Sequence, residues 1–293
     1  MKIIIAFPPG GPVDFVARVL AQGLGEDLKQ SVIVENRPGA NGAISAQVVA
    51  KSAPDGMTLW FTSAGAAVMN PALYEDLAYN MQRDFAPVSL VVNNVEVLVV
   101  NPSNPANRVT ELVAQSKKSP NPLPIASSGI GSMPHLAMEL LADSSGANLM
   151  HVPYKGAAPA ITDVMGGQVS GFFGDIPGLI GFIKGGKLKP LGIAAPSRHP
   201  LLPDVRTLDE QGIHGVESNN WYALFAPAKT PAARTEQLNA AVRRVLTSES
   251  YRKRLLESCA EPMPSSPEQL TALVNADTAK WGRIISDKKI KGE

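Results

Sequence analysis

At 293 residues and 30.9 kDa, with 44 % hydrophobic residues, the chain is long enough for two lobes with separate cores. Its 27 basic and 26 acidic side chains leave a formal charge of +1, and no basic stripe or aromatic-interleaved Lys/Arg cluster appears, which argues against a nucleic-acid partner. The longest apolar run, WYALFA at 221–226, is far short of the roughly 18 residues of a membrane-spanning helix. The single cysteine, Cys259 in a polar helical tail, permits no intrachain disulfide, reads as inert, and leaves the compartment open. The opening MKIIIAF is too short for a signal-peptide core and merges into the first strand, so either the protein is cytosolic or a leader has been removed.

The predicted elements begin with strand IIIAF and a helix over 12–28, then strand SVIVEN and a helix over 39–51, then strand TLWFTS and a short helix from Ala64. This β-α-β rhythm predicts an α/β protein with mainly parallel sheets flanked by helices, and ligands at the carboxyl ends of the strands. The long β-branched run FAPVSLVVNNVEVLVVNPSNP reads as one or two strands closed by Asn-Pro pairs, with a crossing between lobes near Asn101. A second series follows: helix 110–118, strand PIASS, helix 132–145, strand MHVPYK, helix 157–166, strand VSGFFGD, helix 177–184 and strand LKPLGIAA. From Asn219 the chain forms the strand NNWYALFAPAKTP and then helices over 231–247, 249–258 and 267–287, a change of texture that suggests a return to the first lobe. Residues 1–101 with 221–293 are therefore expected to form one lobe and 102–220 the other, joined by two hinge crossings with a ligand cleft between them.

Chemistry concentrates at glycine-bearing strand-to-helix turns. FPPGGPVD at 7–14 lacks both nucleotide fingerprints, G-x-x-x-x-G-K-[ST] and G-x-G-x-x-G. SSGIGSMPHLAMEL at 127–140 repeats its layout, with Ser132 a good N-cap, Pro134 in the first turn and an apolar face that includes Leu136, Leu140 and Leu141. Helix N-termini carry about half a positive charge each, so two of them suit an anion, and the absence of an arginine clamp favours carboxylate. The same glycines also serve to make tight turns, and for either motif alone that reading stands beside the functional one. TSAGAAVMN at 62–70 has the same layout, as a packing turn or a ligand contact. Tyr154 is placed to wall a pocket and the Gly156 amide to donate, whereas Lys155 is expected in solvent. Asp175 ends a strand where it would meet an amine or hydroxyl on a ligand, or cap the helix beginning near Pro177.

Catalytic and metal signatures find little support. His135 and Glu139 share a helix face but lack a third ligand or an H-E-x-x-H pattern, so local bonding is the better reading, and no metal is expected. His151, His199 and His214 are scattered, and no G-x-S-x-G elbow exists. Trp221 and Tyr222 are core residues by default, with closure over a ligand as the alternative.

Taken in order, FPPGGPVD at 7–14, VENRPGANGAISAQVVAKSAPDGMTL at 34–59, SSGIGSMPHLAMEL at 127–140, HVPYKGAAPAITDVMGGQV at 151–169 and WYALFAPAKTP at 221–231 resemble, nearly end to end, the extracytoplasmic solute receptors of the tripartite tricarboxylate transporter family, of Bug type. The resemblance implies a two-lobed type II periplasmic-binding-protein (Venus-flytrap) fold, a monomer without cofactor or catalysis, export to the periplasm, and delivery of a captured solute to membrane permease subunits. It also implies that a ligand carboxylate is held by backbone groups and waters, at Pro9, Gly10 and Gly11 of one loop and Ser127, Gly129, Gly131, Ser132 and His135 of the other. Thr62, Ser63, Tyr154, Gly156 and Asp175 are the further lining it implies, and Asp14 organises its loop. The ligands of such receptors include dicarboxylates, citrate, acidic amino acids and aromatic or pyridine carboxylates. The secretion leader and short extended stretch that usually precede the first strand are missing here, which reads as processing. The alternatives are a cytosolic ligand-sensing domain of a transcription regulator, for which no DNA-binding head is seen, and a hydrolase or transferase using Ser132 and His135.

Overall fold

In the computed structural model, which describes residues 1–258 and 260–291, the chain begins with β1 (Lys2–Ile5) and α1 (Pro12–Asp27), followed by β2 (Ile33–Asn36), a 3-10 turn (Ala40–Gly42) and α2 (Ala43–Ala50). Next come β3 (Thr58–Ser63), a π-helical turn (Gly65–Met69), the short α3 (Asn70–Leu73) and α4 (Met81–Asp84), and β4 (Phe85–Val100). The middle of the chain supplies α5 (Val109–Lys118), β5 (Leu123–Ser127), α6 (Met133–Ser145), β6 (Leu149–Pro153), α7 (Ala157–Met165), β7 (Gly171–Asp175), α8 (Ile176–Lys184), β8 (Lys189–Ile193) and a 3-10 turn at Asp209–Gln211. It closes with β9 (Asn219–Pro227), α9 (Ala232–Thr247), α10 (Glu249–Glu257), the two-residue β10 (Glu261–Pro262) and α11 (Pro267–Asp287). Cys259, expected in a helical tail, lies outside the described residues.

Two compact units result: Met1–Asn93 with Trp221–Glu293, and Asn94–Asn220. The first division falls inside β4 at Asn93/Asn94 rather than near Asn101. The Asn101-Pro102 pair ends a strand but does not mark the boundary, because β4 is one unbroken run of 16 residues whose hydrogen bonding changes partners midway. Val92 and Asn93 pair with β10, whereas Glu96–Val100 pair with β7 and β8.

In the first unit, β1 lies in parallel between β2 and β3, with Ile3 opposite Val34 on one side and Leu59 on the other. Consecutive isoleucines are tolerated because helices cover both faces of the sheet. Ile3 and Ile5 pack in a cluster with Val16, Leu20 and Leu24 of α1 and Leu238 and Val242 of α9, while Ile4, on the opposite face, is equally buried. Trp60 faces away from Leu59 and Phe61; its ring lies 4.8 Å from that of Phe85 and 5.8 Å from those of Tyr79 and Phe225. Its indole N–H is satisfied by Ser45 Oγ at 2.8 Å. In the second unit, β5 is flanked in parallel by β6 and β7, over a core that includes Leu98, Ile125, Met138, Leu141, Phe173 and Leu191.

Neither sheet is parallel throughout. β9 runs antiparallel to β3, and β4 antiparallel to β7 and β8. These are the strands at which the chain passes between units, so no crossover helix forces them into the parallel sense.

α1 approaches α9 and α10 most closely at Gly23, where an added Cβ would lie 2.4 Å from Val245 Cγ1 and 3.1 Å from Tyr251 Cζ. Alanine gains about 1 kcal/mol of helix propensity over glycine, but overpacking of this kind costs about 1–3 kcal/mol. Gly23→Ala is therefore expected to destabilise the protein by about 1 kcal/mol in urea unfolding, and a stabilised variant would show slack between these helices.

Candidate functional site

The β1-to-α1 loop of the first unit places Gly10 at φ +85°, exposed and with nothing within 4 Å of an added Cβ. Left-handed backbone favours glycine here, and the open space leaves the main chain accessible to a ligand. The loop is tied from beneath by Asp14, whose Oδ2 accepts from the Gly10 amide at 3.1 Å and from Arg18 Nε at 2.9 Å. Its Oδ1 accepts from Arg18 Nη2 and Asn36 Nδ2, both at 2.9 Å, and Asn36 Nδ2 also donates to the Phe7 carbonyl at 3.0 Å. Burial pushes the Asp14 carboxyl up, but the bonds from Arg18, Asn36 and Gly10 and the Arg18 charge together hold it below its usual value.

Gly11 is the N-cap of α1, Pro12 follows it, and no side chain caps the helix. The amides of Gly11, Val13 and Asp14 therefore have no carbonyl partner within the helix, which suits this end to an anion. Pro9 is exposed at the loop tip. Thr62 and Ser63 end β3 at the same edge of the sheet, since Ile5 is in register with Phe61. Both are buried, and Thr62 Oγ1 has no hydrogen-bond partner among the described residues.

In the second unit, the β5-to-α6 loop is closed by its own hydroxyls. Ser127 Oγ donates to the Gly129 carbonyl at 3.0 Å and accepts from the Gly129 amide at 3.1 Å. Ser132 holds the N-cap position, as expected, but its hydroxyl does not cap; it donates back to the Gly129 carbonyl at 2.7 Å. The Met133 and His135 amides are left without intrahelical acceptors, and Pro134 has no N–H to satisfy. The Gly131 amide donates to His135 Nδ1 at 3.1 Å, and His135 Nε2 lies 3.6 Å from Glu139 Oε1. No group of three or more His, Cys, Asp or Glu among the described residues is arranged to hold a metal.

The segment after β6 packs against this loop: the Tyr154 amide donates to the Ser127 carbonyl at 3.1 Å and the Gly156 amide to the Ser128 carbonyl at 3.2 Å. The Gly156 N–H is thus engaged within the protein. The Tyr154 hydroxyl donates to Asp163 Oδ2 at 2.6 Å; burial, then that bond and charge, push its pKa up to about 12. Lys155 is exposed.

Asp175 sits at the N-cap of α8 without making a capping bond. Its Oδ2 accepts from Asn220 Nδ2 at 3.0 Å, and its residue faces Glu96 directly across the β4–β7 pair. Glu96 is fully buried and accepts from the Ser218 hydroxyl. Asn94, two residues along the same strand face, is also fully buried, with neither amide atom partnered among the described residues. Burial first, and the Asp175 charge second, push the Glu96 carboxyl well above its ordinary range against the Ser218 bond. A raised carboxyl binds a proton more tightly in the folded than in the unfolded state, so its contribution is full at acid pH and is lost as pH rises. Glu96→Gln, which cannot ionise, is expected to unfold at a higher temperature than wild type at pH 8, with the difference closing towards pH 4.5. An equal difference at both values would show that Glu96 is not the titrating group.

Several residues of this arrangement carry no local sequence signal. Arg18 is legible four residues after Asp14, the spacing of a helical ion pair. Asn36, Glu96, His151, Ser218 and Asn220 are brought in only by strand register and packing. Tyr222 and Trp221 are buried in the first unit, where Trp221 Nε1 donates to Asp277 Oδ2 at 2.7 Å.

The chain as a whole is similar to known proteins. The profile of the tripartite tricarboxylate transporter family receptors matches residues 16–290. BugT of Bordetella pertussis is 33 % identical over 292 residues, covering 99 % of this chain and 90 % of BugT. Among solved structures, the periplasmic binding protein BugD superimposes with a TM-score of 0.94 at 32 % identity, over 100 % of this chain and 98 % of BugD. The adipate-bound Rpa4515 of R. palustris gives 0.96 at 32 % identity over 99 % and 97 % of the two chains. MatC of Rhodopseudomonas palustris with bound malate gives 0.91 at 33 % identity over 97 % and 98 %. The chain belongs to the tripartite tricarboxylate transporter family of receptors, of Bug type, and has the two-lobed α/β fold of periplasmic binding proteins. No helix among the described residues is long and apolar enough to cross a membrane.

Proposed function

We propose that this receptor is a non-catalytic, monomeric periplasmic protein that captures a small organic carboxylate and delivers it to the permease of a tripartite tricarboxylate transporter. The observation that carries this reading is the pair of helices, α1 and α6, that each begin without a side-chain cap after a glycine-bearing loop at the carboxyl end of a parallel strand. Each terminus contributes about 0.3–1 kcal/mol to binding an anion at a surface, and up to about 2 kcal/mol when partly buried. The malate and adipate held by the relatives supply the ligand class.

In this reading the carboxylate engages the backbone of Pro9, Gly10 and Gly11 and that of the Ser127, Gly129, Gly131 and Ser132 loop, with Thr62 Oγ1 as a further polar contact. Ser63, Tyr154, Gly156 and Asp175 contribute to the lining, while Asp14 and His135 hold the loops from within. A hydrolase reading has less support, because the Ser132 hydroxyl donates to Gly129 and His135 Nδ1 accepts from Gly131, so the two do not form a nucleophile–base pair.

Calorimetry and thermal shift with malate, adipate, citrate, glutamate and nicotinate test the reading, with a sugar as control. A ligand present at 100 times its Kd is expected to stabilise the protein by about 2.7 kcal/mol. Gly10→Val, which puts a β-branched side chain at positive φ into the open space, is expected to weaken binding at least about tenfold and, through backbone strain of about 1–3 kcal/mol, to lower the unliganded unfolding temperature without preventing folding. Lys155→Ala is expected to bind as wild type. Stabilisation by the sugar but by no carboxylate would overturn the proposal.

A further inference from the structure

His135 on α6 and His151 on β6 lie face to face, with ring centroids 3.6 Å apart and planes within 6° of parallel. Both reach the Ser127–Ser132 loop from its protein side. His135 Nδ1 accepts from the Gly131 amide, so its proton resides on Nε2, towards Glu139. His151 Nε2 lies 2.6 Å from Ser127 Oγ. That hydroxyl spends its one proton on the Gly129 carbonyl, and one lone pair accepts from the Gly129 amide. With the hydroxyl proton placed on Gly129, the 2.6 Å contact is a hydrogen bond in the tautomer that carries the His151 proton on Nε2 and gives it to Ser127. Every polar atom of the Ser127 hydroxyl is then satisfied, and both groups of the Gly129 backbone involved are fixed in direction.

We propose that His151, stacked on His135, is a positioning residue that locks Ser127 and through it Gly129, setting the shape of the loop that receives the ligand carboxylate. The inference rests on the carboxylate-receptor reading above. The titratable groups facing His151 are His135 and Glu139, both from α6; β5 faces it with Ser127, which does not ionise. Burial first, and His135 second, hold the His151 pKa down to about 3 against the opposing pull of Glu139. Protonation would add a poorly solvated charge where His151 lies and no bond to Ser127, so His151 serves as a neutral donor rather than as a proton switch.

The test uses malate and adipate by calorimetry, together with amide hydrogen exchange in the unliganded protein. His151→Phe keeps an aromatic ring against His135 and loses only the donor; it is expected to weaken binding about tenfold and to speed exchange at Gly129 and Gly131 by a similar factor. His151→Gln, which retains an N–H donor, is expected to recover part of both. Ser127→Ala, which also removes both bonds to Gly129, is expected to lose at least as much as His151→Phe, and the double variant to be no worse than Ser127→Ala, because His151 acts through that hydroxyl. The dependence of affinity on pH between about 6 and 8 is expected to be the same in His151→Phe as in the wild type, because His151 stays neutral across that range. Wild-type affinity and exchange in His151→Phe, additive losses in the double variant, or a binding titration between about pH 6 and 8 that His151→Phe abolishes would each overturn the inference. Should the wild type bind neither acid, the exchange rates alone decide whether His151 holds the loop, and the carboxylate reading stands or falls on the wider panel above.

Discussion

A parallel strand can be reached from its neighbour only by a crossover, and that geometry governs where chemistry sits in this protein. The chain must leave the carboxyl end of a strand, cross the sheet and return to the other edge, and α1 and α6 are segments that begin this return. Their unpaired N-terminal amides are therefore displayed at the carboxyl edges of the sheets, where β1 and β5 end. The antiparallel strands β4 and β9 arise where the chain passes between units and is free of that requirement.

The two loops share a second property: their shape is held by side chains that lie beneath them. In one, Asp14 accepts from Gly10, Arg18 and Asn36 at once; in the other, Ser127 and Ser132 close onto Gly129 while His135 takes the Gly131 amide. Fixing a loop in advance lowers the ordering cost of any binding it takes part in, so under the proposed function these internal bonds would act on affinity without touching the ligand. They also explain why Ser132 and His135, adjacent on one helix turn and suggestive of catalysis, are committed to structure instead. The Glu96–Asp175 pair is of another kind, since burial and the Asp175 carboxyl facing it across the strand pair together suppress the ionisation of Glu96.

Much of the architecture was legible from local pattern. The periodicities of IIIAF, TLWFTS and PIASS, the Pro12 and Pro134 helix starts, and the all-helical C-terminal texture each report a constraint acting within a few residues, and the observed elements follow them closely. The two glycine-bearing strand-to-helix turns were legible for the same reason, whereas the uncapped start of α6 was not, since Ser132 holds the N-cap position but turns its hydroxyl back to Gly129. The boundary inside β4 was not: a strand that changes partners midway keeps the same apolar alternation, so nothing in VVNNVEVLVV marks the change. The antiparallel sense of β9 was hidden similarly, because direction is a property of pairing and not of the strand.

The amino-acid sequence by itself thus determined the kind of protein, the order of its elements and the two turns on which a carboxylate reading rests, since all three reside in short-range spacing and in an ordered set of motifs. Only the tertiary structure decided which polar groups meet. Ser127 and His151 are 24 positions apart, and Glu96 and Ser218 are 122 apart. Their contacts come from strand register and helix packing, long-range choices that local composition does not encode, and through them scattered histidines and serines become hydrogen-bond partners.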